Sequence, residues 1–143
     1  WKPNVTVAAI VERGGRYLLV EEDSPRGPVL NNPAGHLDQG ETLLQAVVRE
    51  VLEETARRFT PTHLVGAYLA PSARGDVTYL RFAFAGEVGE PEPGRALDAG
   101  ILRTVWLSAE EIEAGRARHR SALLARGIAD HRAGCRFPLD LLR

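Results

Sequence analysis

Apolar and polar positions change period several times along this chain, and each change predicts an element. Val5 to Val11 and Tyr17 to Val20 are β-branched and apolar, and Gly14-Gly15 between them predicts a hairpin of two strands. Asp23 to Gly35 contains Pro25, Gly27, Pro28, Asn31, Asn32, Pro33 and Gly35, which predicts mostly loop. From Thr42 to about Arg58 the period becomes helical. Asp38 followed three residues later by Glu41 reads as a capping box opening that helix, and Pro61 closes the region. Leu64 to Leu69 and Val77 to Phe84 predict two further strands, with a turn from Pro71 to Asp76. Pro91, Pro93 and Gly94 mark another loop, and Thr104 to Leu107 a short strand. Ser108 with Glu111 predicts the start of a helix through Ala114, and Ser121 to Ala133 a last helix weakened by Gly127. The order of strands, helix, strands, helix, helix predicts the α/β class, a mixed sheet with helices on its faces. With no repeat, low-complexity segment or linker, residues 1–143 read as one domain.

The first helix has two chemically different sides. At about 100° per residue from Glu50, Glu53 falls near 300° and Glu54 near 40°, so three carboxylates share one arc. Leu44, Val47, Val48, Val51 and Leu52 lie on the opposite side and can bury against a sheet. Like charges at i+3 and i+4 cost a helix roughly 0.2–0.5 kcal/mol each. A hard divalent cation such as Mg²⁺, bound through oxygen, removes that cost. A solvated face is the competing reading, because Glu53–Arg57 and Glu54–Arg58 are favourable i, i+4 pairs.

Composition narrows the partners more than the chemistry. The 143 residues are 44% hydrophobic and 26% charged with a net charge of −1, ordinary values for a folded globular protein. No global basic field points to a nucleic-acid polymer. One cysteine, Cys135, excludes an intrachain disulfide framework and reads as a small core or surface residue. Apolar runs fall far short of the roughly 20 residues of a membrane span, and no signal peptide is visible, so a cytoplasmic protein away from membranes is expected. Lys2 is the only lysine among 18 basic residues, and with abundant Ala and Gly this reads as compositional bias.

The spacing upstream of the helix shifts the balance toward metal. Gly35, five residues, Glu41, seven residues and then Arg49-Glu50-Val51-Leu52-Glu53-Glu54 resemble the Nudix box, Gly-x5-Glu-x7-Arg-Glu-U-x-Glu-Glu-x-Gly-U with U apolar. Chance produces such a match on the order of 10⁻⁷ to 10⁻⁸ times per starting position. Two positions depart from it: Ala56 replaces the glycine, which lets the helix continue, and Arg57 replaces the final apolar residue. Lys2 to Ala9, Asn31 to Leu37, Leu80-Arg81-Phe82 and Arg136 to Leu139 resemble a branch of small bacterial Nudix phosphatases acting on thiamine-type pyrophosphates.

The resemblance implies the α/β/α Nudix sandwich and metal-dependent hydrolysis of a phosphoanhydride. The expected reaction releases the terminal phosphate of nucleoside di- or triphosphates or of thiamine or hydroxymethylpyrimidine pyrophosphate. It implies Mg²⁺, with Mn²⁺ as a substitute, held by Glu50, Glu53, Glu54 and the main-chain carbonyl of Ala34. It assigns Arg49 to orienting a catalytic glutamate; the family draws its general base from different places, and Glu53 is the choice here, with Glu50 as its rival. Glu41 is expected to brace the loop–helix junction. His36 and Arg81 are candidates for substrate phosphate, against a structural loop histidine and a surface ion pair. His63, His119 and His131 have no ligand spacing and receive no role, and Trp106 reads as core more than as a base-stacking residue. The alternatives are a dinucleotide or nucleotide-sugar pyrophosphatase of the ADP-ribose kind, and a non-catalytic binding module with the same fold.

Overall fold

The computed structural model describes residues 1–143. Its strands are β1 (Asn4–Ile10), β2 (Glu12–Arg13), β3 (Arg16–Glu22), β4 (Val29–Asn31), β5 (Ala34–His36), β6 (Phe59–Pro71), β7 (Thr78–Val88) and β8 (Ile101–Ser108). Its helices are α1 (Leu43–Thr55), α2 (Ala109–Ala114) and α3 (Ala122–Arg132), with single 3₁₀ turns at Arg116–Arg118 and Leu139–Leu141. One sheet runs β5-β1-β7-β6, with β1 parallel to β7 and the other pairs antiparallel. In the other, β3 pairs with β2 and β4 at its two ends and with β8 along its length.

The mixed sheet and the antiparallel one lie between two helical layers, the expected α/β arrangement. Val7, Ala9 and Val11 pack toward α1 with Ala46, Val47 and Val51, while Ile10 packs toward α3 with Leu124 and Ile128. Burial on both faces is why β1 reads as a nearly unbroken apolar run.

Several boundaries differ from the sequence expectation. The turn at Gly14-Gly15 is present, with φ of +58° and +80°. Across it, however, only Glu12 and Arg13 form a strand, with the Val11 carbonyl accepting from Leu18 N–H at 2.9 Å, because β1 itself belongs to the other sheet. The stretch Asp23 to Gly35 contains β4 and the start of β5, paired with β3 and β1 despite its proline and asparagine content. Pro61 closes nothing: it sits inside β6, an edge strand, where the register slips between Pro61 and His63.

Helix α1 begins at Thr42, whose hydroxyl accepts from Gln45 N–H while the Gln45 side chain accepts from Thr42 N–H. Asp38 and Glu41 form a separate turn just before it. The helix stops at Thr55 and does not continue through Ala56. Ala56 takes the left-handed conformation at φ +60°, the only non-glycine residue to do so, and its N–H closes the last turn on Leu52. The position where the motif carries glycine therefore keeps glycine's geometry. An L-residue there costs about 1–2 kcal/mol, so Ala56→Gly is expected to stabilise the fold by about 1 kcal/mol, read as a higher midpoint in urea.

Because the helix has ended, the pairs Glu53–Arg57 and Glu54–Arg58 do not form. Arg57 lies over the Trp106 ring at 5.6 Å, with Arg13 also over that ring at 5.1 Å. Its stem covers apolar surface where the motif has an apolar residue. Arg58 pairs with Glu92.

His63 and His131, given no role from sequence, stack with ring centroids 6.5 Å apart, and His131 Nδ1 lies 3.0 Å from the Tyr17 hydroxyl. Burial, with the positive charge of Arg136, holds both rings below the ordinary histidine value. The unfolded chain therefore takes up these protons first as pH falls. The stability they contribute is complete above about pH 6.5 and is lost as pH falls through their depressed folded-state values. A melting series from pH 7.5 to 4.5 is expected to show that loss, and His63→Gln with His131→Gln to flatten it.

Candidate active site

The box glycine is a packing requirement. Gly35 in β5 is the register partner of Val7, whose side chain faces α1. A Cβ on Gly35 would lie 2.1 Å from the Glu50 carboxylate, so that carboxylate occupies the space a side chain would need.

Arg49 organises the acidic side of α1. Its Nε and Nη2 donate to the two oxygens of Glu41, with Nη2 to Glu41 at 2.9 Å. Nη1 donates to Glu50 at 2.8 Å and to Glu53 at 3.2 Å, and Nη2 also reaches the His36 carbonyl at 3.0 Å. Glu41 accepts in addition from Asp38 N–H, so the junction between loop and helix is tied at Glu41.

The carboxylates differ in environment. Glu54 is buried and accepts from Ala34 N–H at 2.7 Å. Burial pushes its carboxyl up to about 8, and the charges of Glu22, Glu50 and Asp98 push the same way. Burial also raises Glu50, opposed by Arg49. Glu53 is the most open of the three, its side chain about one-third exposed.

Glu50, Glu53 and Asp98 each bring an oxygen within 4.8 Å of the others. Asp98 arrives on the segment between β7 and β8, and its N–H donates to the Glu53 carbonyl at 3.0 Å. Sequence reading missed it, because no spacing ties a lone aspartate beyond a Pro/Gly-rich stretch to a helix some forty residues earlier. Glu22, buried at the end of β3 and paired with Arg120 at 2.7 Å, was missed for the same reason.

The two substrate candidates share a row. His36, Thr6 and Arg81 are register partners across β5, β1 and β7. The His36 ring is exposed, 6.3 Å from the Tyr79 ring. Arg81 is 9% exposed, which rules out the surface ion pair, and burial lowers its pKa to about 10. Trp106 is partly buried against the α1-side core, as expected, and Cys135 against the other.

Chemically, the edge of α1 gathers hard oxygen donors with one guanidinium to balance them. That donor set fits a hard divalent cation. No helix here is long and apolar enough to cross a membrane.

Comparison with known proteins bears on the family and the fold. A family model described as NUDIX domain matches residues 2–126. The chain is 38% identical over 144 residues to a protein of Escherichia coli K12 named Phosphatase NudJ, covering 99% of this chain and 92% of the relative. It superposes on the NUDIX hydrolase from Nitrosomonas europaea with a TM-score of 0.95 and 52% identity, covering 99% and 97% of the two chains. The fold is shared more distantly with a MutT NUDIX hydrolase from Burkholderia pseudomallei, at a TM-score of 0.69 and 20% identity over 82% of this chain and 96% of the other.

Proposed function

Since the chain belongs to the Nudix hydrolase family, we propose that it is a magnesium-dependent phosphatase that removes the terminal phosphate from small pyrophosphate compounds, working in the cytoplasm as one domain over residues 1–143. The observation that carries the reading is the convergence of Glu50, Glu53 and Asp98 around Arg49, against a Gly35 that leaves room for the Glu50 carboxylate. Glu50, Glu53, Glu54 and the carbonyl of Ala34 would hold the metal, with Asp98 joining them. Bound there, Mg²⁺ or Mn²⁺ would neutralise the diphosphate and lower the pKa of the attacking water.

The chain's own groups do the rest. Arg49 fixes the helix carboxylates against Glu41 and the β5 backbone. Glu53, the most exposed of the helix carboxylates, takes the proton of the water as its oxygen bonds to phosphorus and the bridging P–O bond breaks; Glu50, pinned by Arg49 at 2.8 Å, is the less mobile rival. His36 and Arg81 receive phosphate oxygens. The substrate class is that of small pyrophosphates, including thiamine and hydroxymethylpyrimidine diphosphates and nucleoside di- and triphosphates. Nothing in the charge distribution favours a nucleic-acid polymer.

The test is product analysis. Purified protein with Mg²⁺ and thiamine diphosphate or a nucleoside diphosphate is expected to release orthophosphate, and EDTA to stop it. Two monophosphate esters from ADP-ribose, with no orthophosphate from the other compounds, would instead identify a dinucleotide-type pyrophosphatase. No turnover of any pyrophosphate would leave a binding module, a reading that the complete set of box carboxylates argues against.

A further inference from the structure

Strand β7 carries a positive charge into the interior without a counter-ion. Arg81 is nine-tenths buried, and its Nε and Nη1 meet no acceptor. Its register partner Thr6 is buried too, with Oγ1 unpartnered. On the same face, the next row across the sheet is Ala34, Ala8, Ala83 and Gly66, and the Tyr68 ring folds over Gly66, where a Cβ would meet its hydroxyl at 2.8 Å. Ala34 in that row donates to Glu54, which puts the carboxylate edge of α1 one row away. The carboxylate whose charge acts most on Arg81 is Glu22, and it is already bonded to Arg120 at 2.7 Å.

A buried guanidinium with free N–H groups is costly alone and is stabilised by an anionic oxygen that accepts from one of them. We propose that Arg81 and Thr6 form a closed subsite for the terminal, unesterified phosphate of the substrate, and that Arg120 is a positioning residue that keeps Glu22 off Arg81. This deepens, and rests on, the pyrophosphate-hydrolase reading. The subsite is a dead end because Tyr68, the partner of Arg81 on β6, is buried on its far side. The Tyr68 hydroxyl donates to Asp130 at 2.8 Å, and Arg126 lies over its ring at 5.3 Å. A phosphate seated there has no path for a second ester, so the site selects the end of a diphosphate and rejects its middle. The side chain remains charged at neutral pH, since its pKa is lowered only to about 10.

The test starts from metal-free protein in EDTA, titrated with orthophosphate and with inorganic pyrophosphate by calorimetry. Arg81→Met is expected to weaken both by about 10- to 100-fold, the loss of a charge-assisted contact. Without ligand the same variant is expected to melt at least about 2 °C higher, because an uncompensated buried charge is gone; a structural arginine would give a lower melting point. Arg120→Gln is expected to weaken phosphate by freeing Glu22 to pair with Arg81, and adding Glu22→Gln to restore it. With Mg²⁺, Arg81→Met should raise KM for thiamine diphosphate. Turnover by the wild type together with phosphate affinity indifferent to Arg81, or failure of the rescue, overturns the subsite and keeps the hydrolase reading. Phosphate binding that depends on Arg81, without turnover of any pyrophosphate, leaves an anion site and overturns the hydrolase reading.

Discussion

Glu53→Gln is expected to lower kcat by about 10²- to 10⁴-fold, the range for removing a general base, and to leave the fold intact. The substitution keeps the shape of the side chain and its capacity to accept from Arg49 Nη1 at 3.2 Å. What it removes is a proton acceptor and one negative charge on the edge where Glu50 and Asp98 also converge. Relief of repulsion with Glu50, whose carboxyl Glu53 pushes up, means the melting temperature holds or rises slightly. Mg²⁺ affinity falls with the lost charge. Steady-state kinetics at saturating metal, beside a melting curve, separates the two effects. Activity within a few-fold of wild type would remove Glu53 from the chemistry and pass the role to Glu50. Loss of activity with a collapsed fold would mean that the carboxylate is structural.

The second large effect comes from a residue with no side chain. Gly35→Ala adds one methyl where the Glu50 carboxylate stands, at 2.1 Å, and both cannot occupy that place. Overpacking of this kind costs typically 1–3 kcal/mol in stability. The greater consequence is that Glu50 must swing away from Arg49 and from Glu53, and a displacement of about 1 Å at a reacting centre costs about 10²-fold in rate. The expected result is a drop of about 100-fold in kcat with weakened Mg²⁺ binding and a modestly lower melting temperature. A variant as active as wild type would show that β5 can retreat, and that the close approach of Gly35 to Glu50 has no bearing on catalysis.

The acidic edge of α1 was legible in the sequence because its information is local. Glu50, Glu53 and Glu54 lie within one helical turn, and Arg49 and Glu41 meet at the spacing the box demands. The α/β class was legible for the same reason, from strands whose apolar runs match their burial. What the sequence hid is non-local. Asp98 reaches Glu53 through a backbone hydrogen bond that no periodicity encodes. Strands β4 and β5 form from proline-, asparagine- and glycine-bearing residues because β3 and β1 offer them partners, so tertiary pairing overrides local propensity. The end of α1 was misjudged at Ala56 because alanine favours helix, yet the carbonyl it turns outward accepts from Glu92 N–H at 2.8 Å. The two substrate candidates needed the register: neighbours across three strands, His36 and Arg81 are 45 positions apart in the chain.

The segment that delivers Asp98 is moored by three main-chain bonds, with Arg57 Nη1 also donating to the Gly89 carbonyl and Arg58 pairing with Glu92. Gly89 N–H meets the Arg58 carbonyl, Glu92 N–H the Ala56 carbonyl and Asp98 N–H the Glu53 carbonyl, so three amides clip the strand-to-strand link onto the tail end of α1. Such a mooring does not read the letters between its clips. The exposed side chains of Pro93, Arg95 and Ala96 can be exchanged while the aspartate stays berthed, provided Gly94 keeps its φ of +74°. That makes this link the natural grafting point for anyone wishing to reshape the mouth of the enzyme and leave its acidic heart alone.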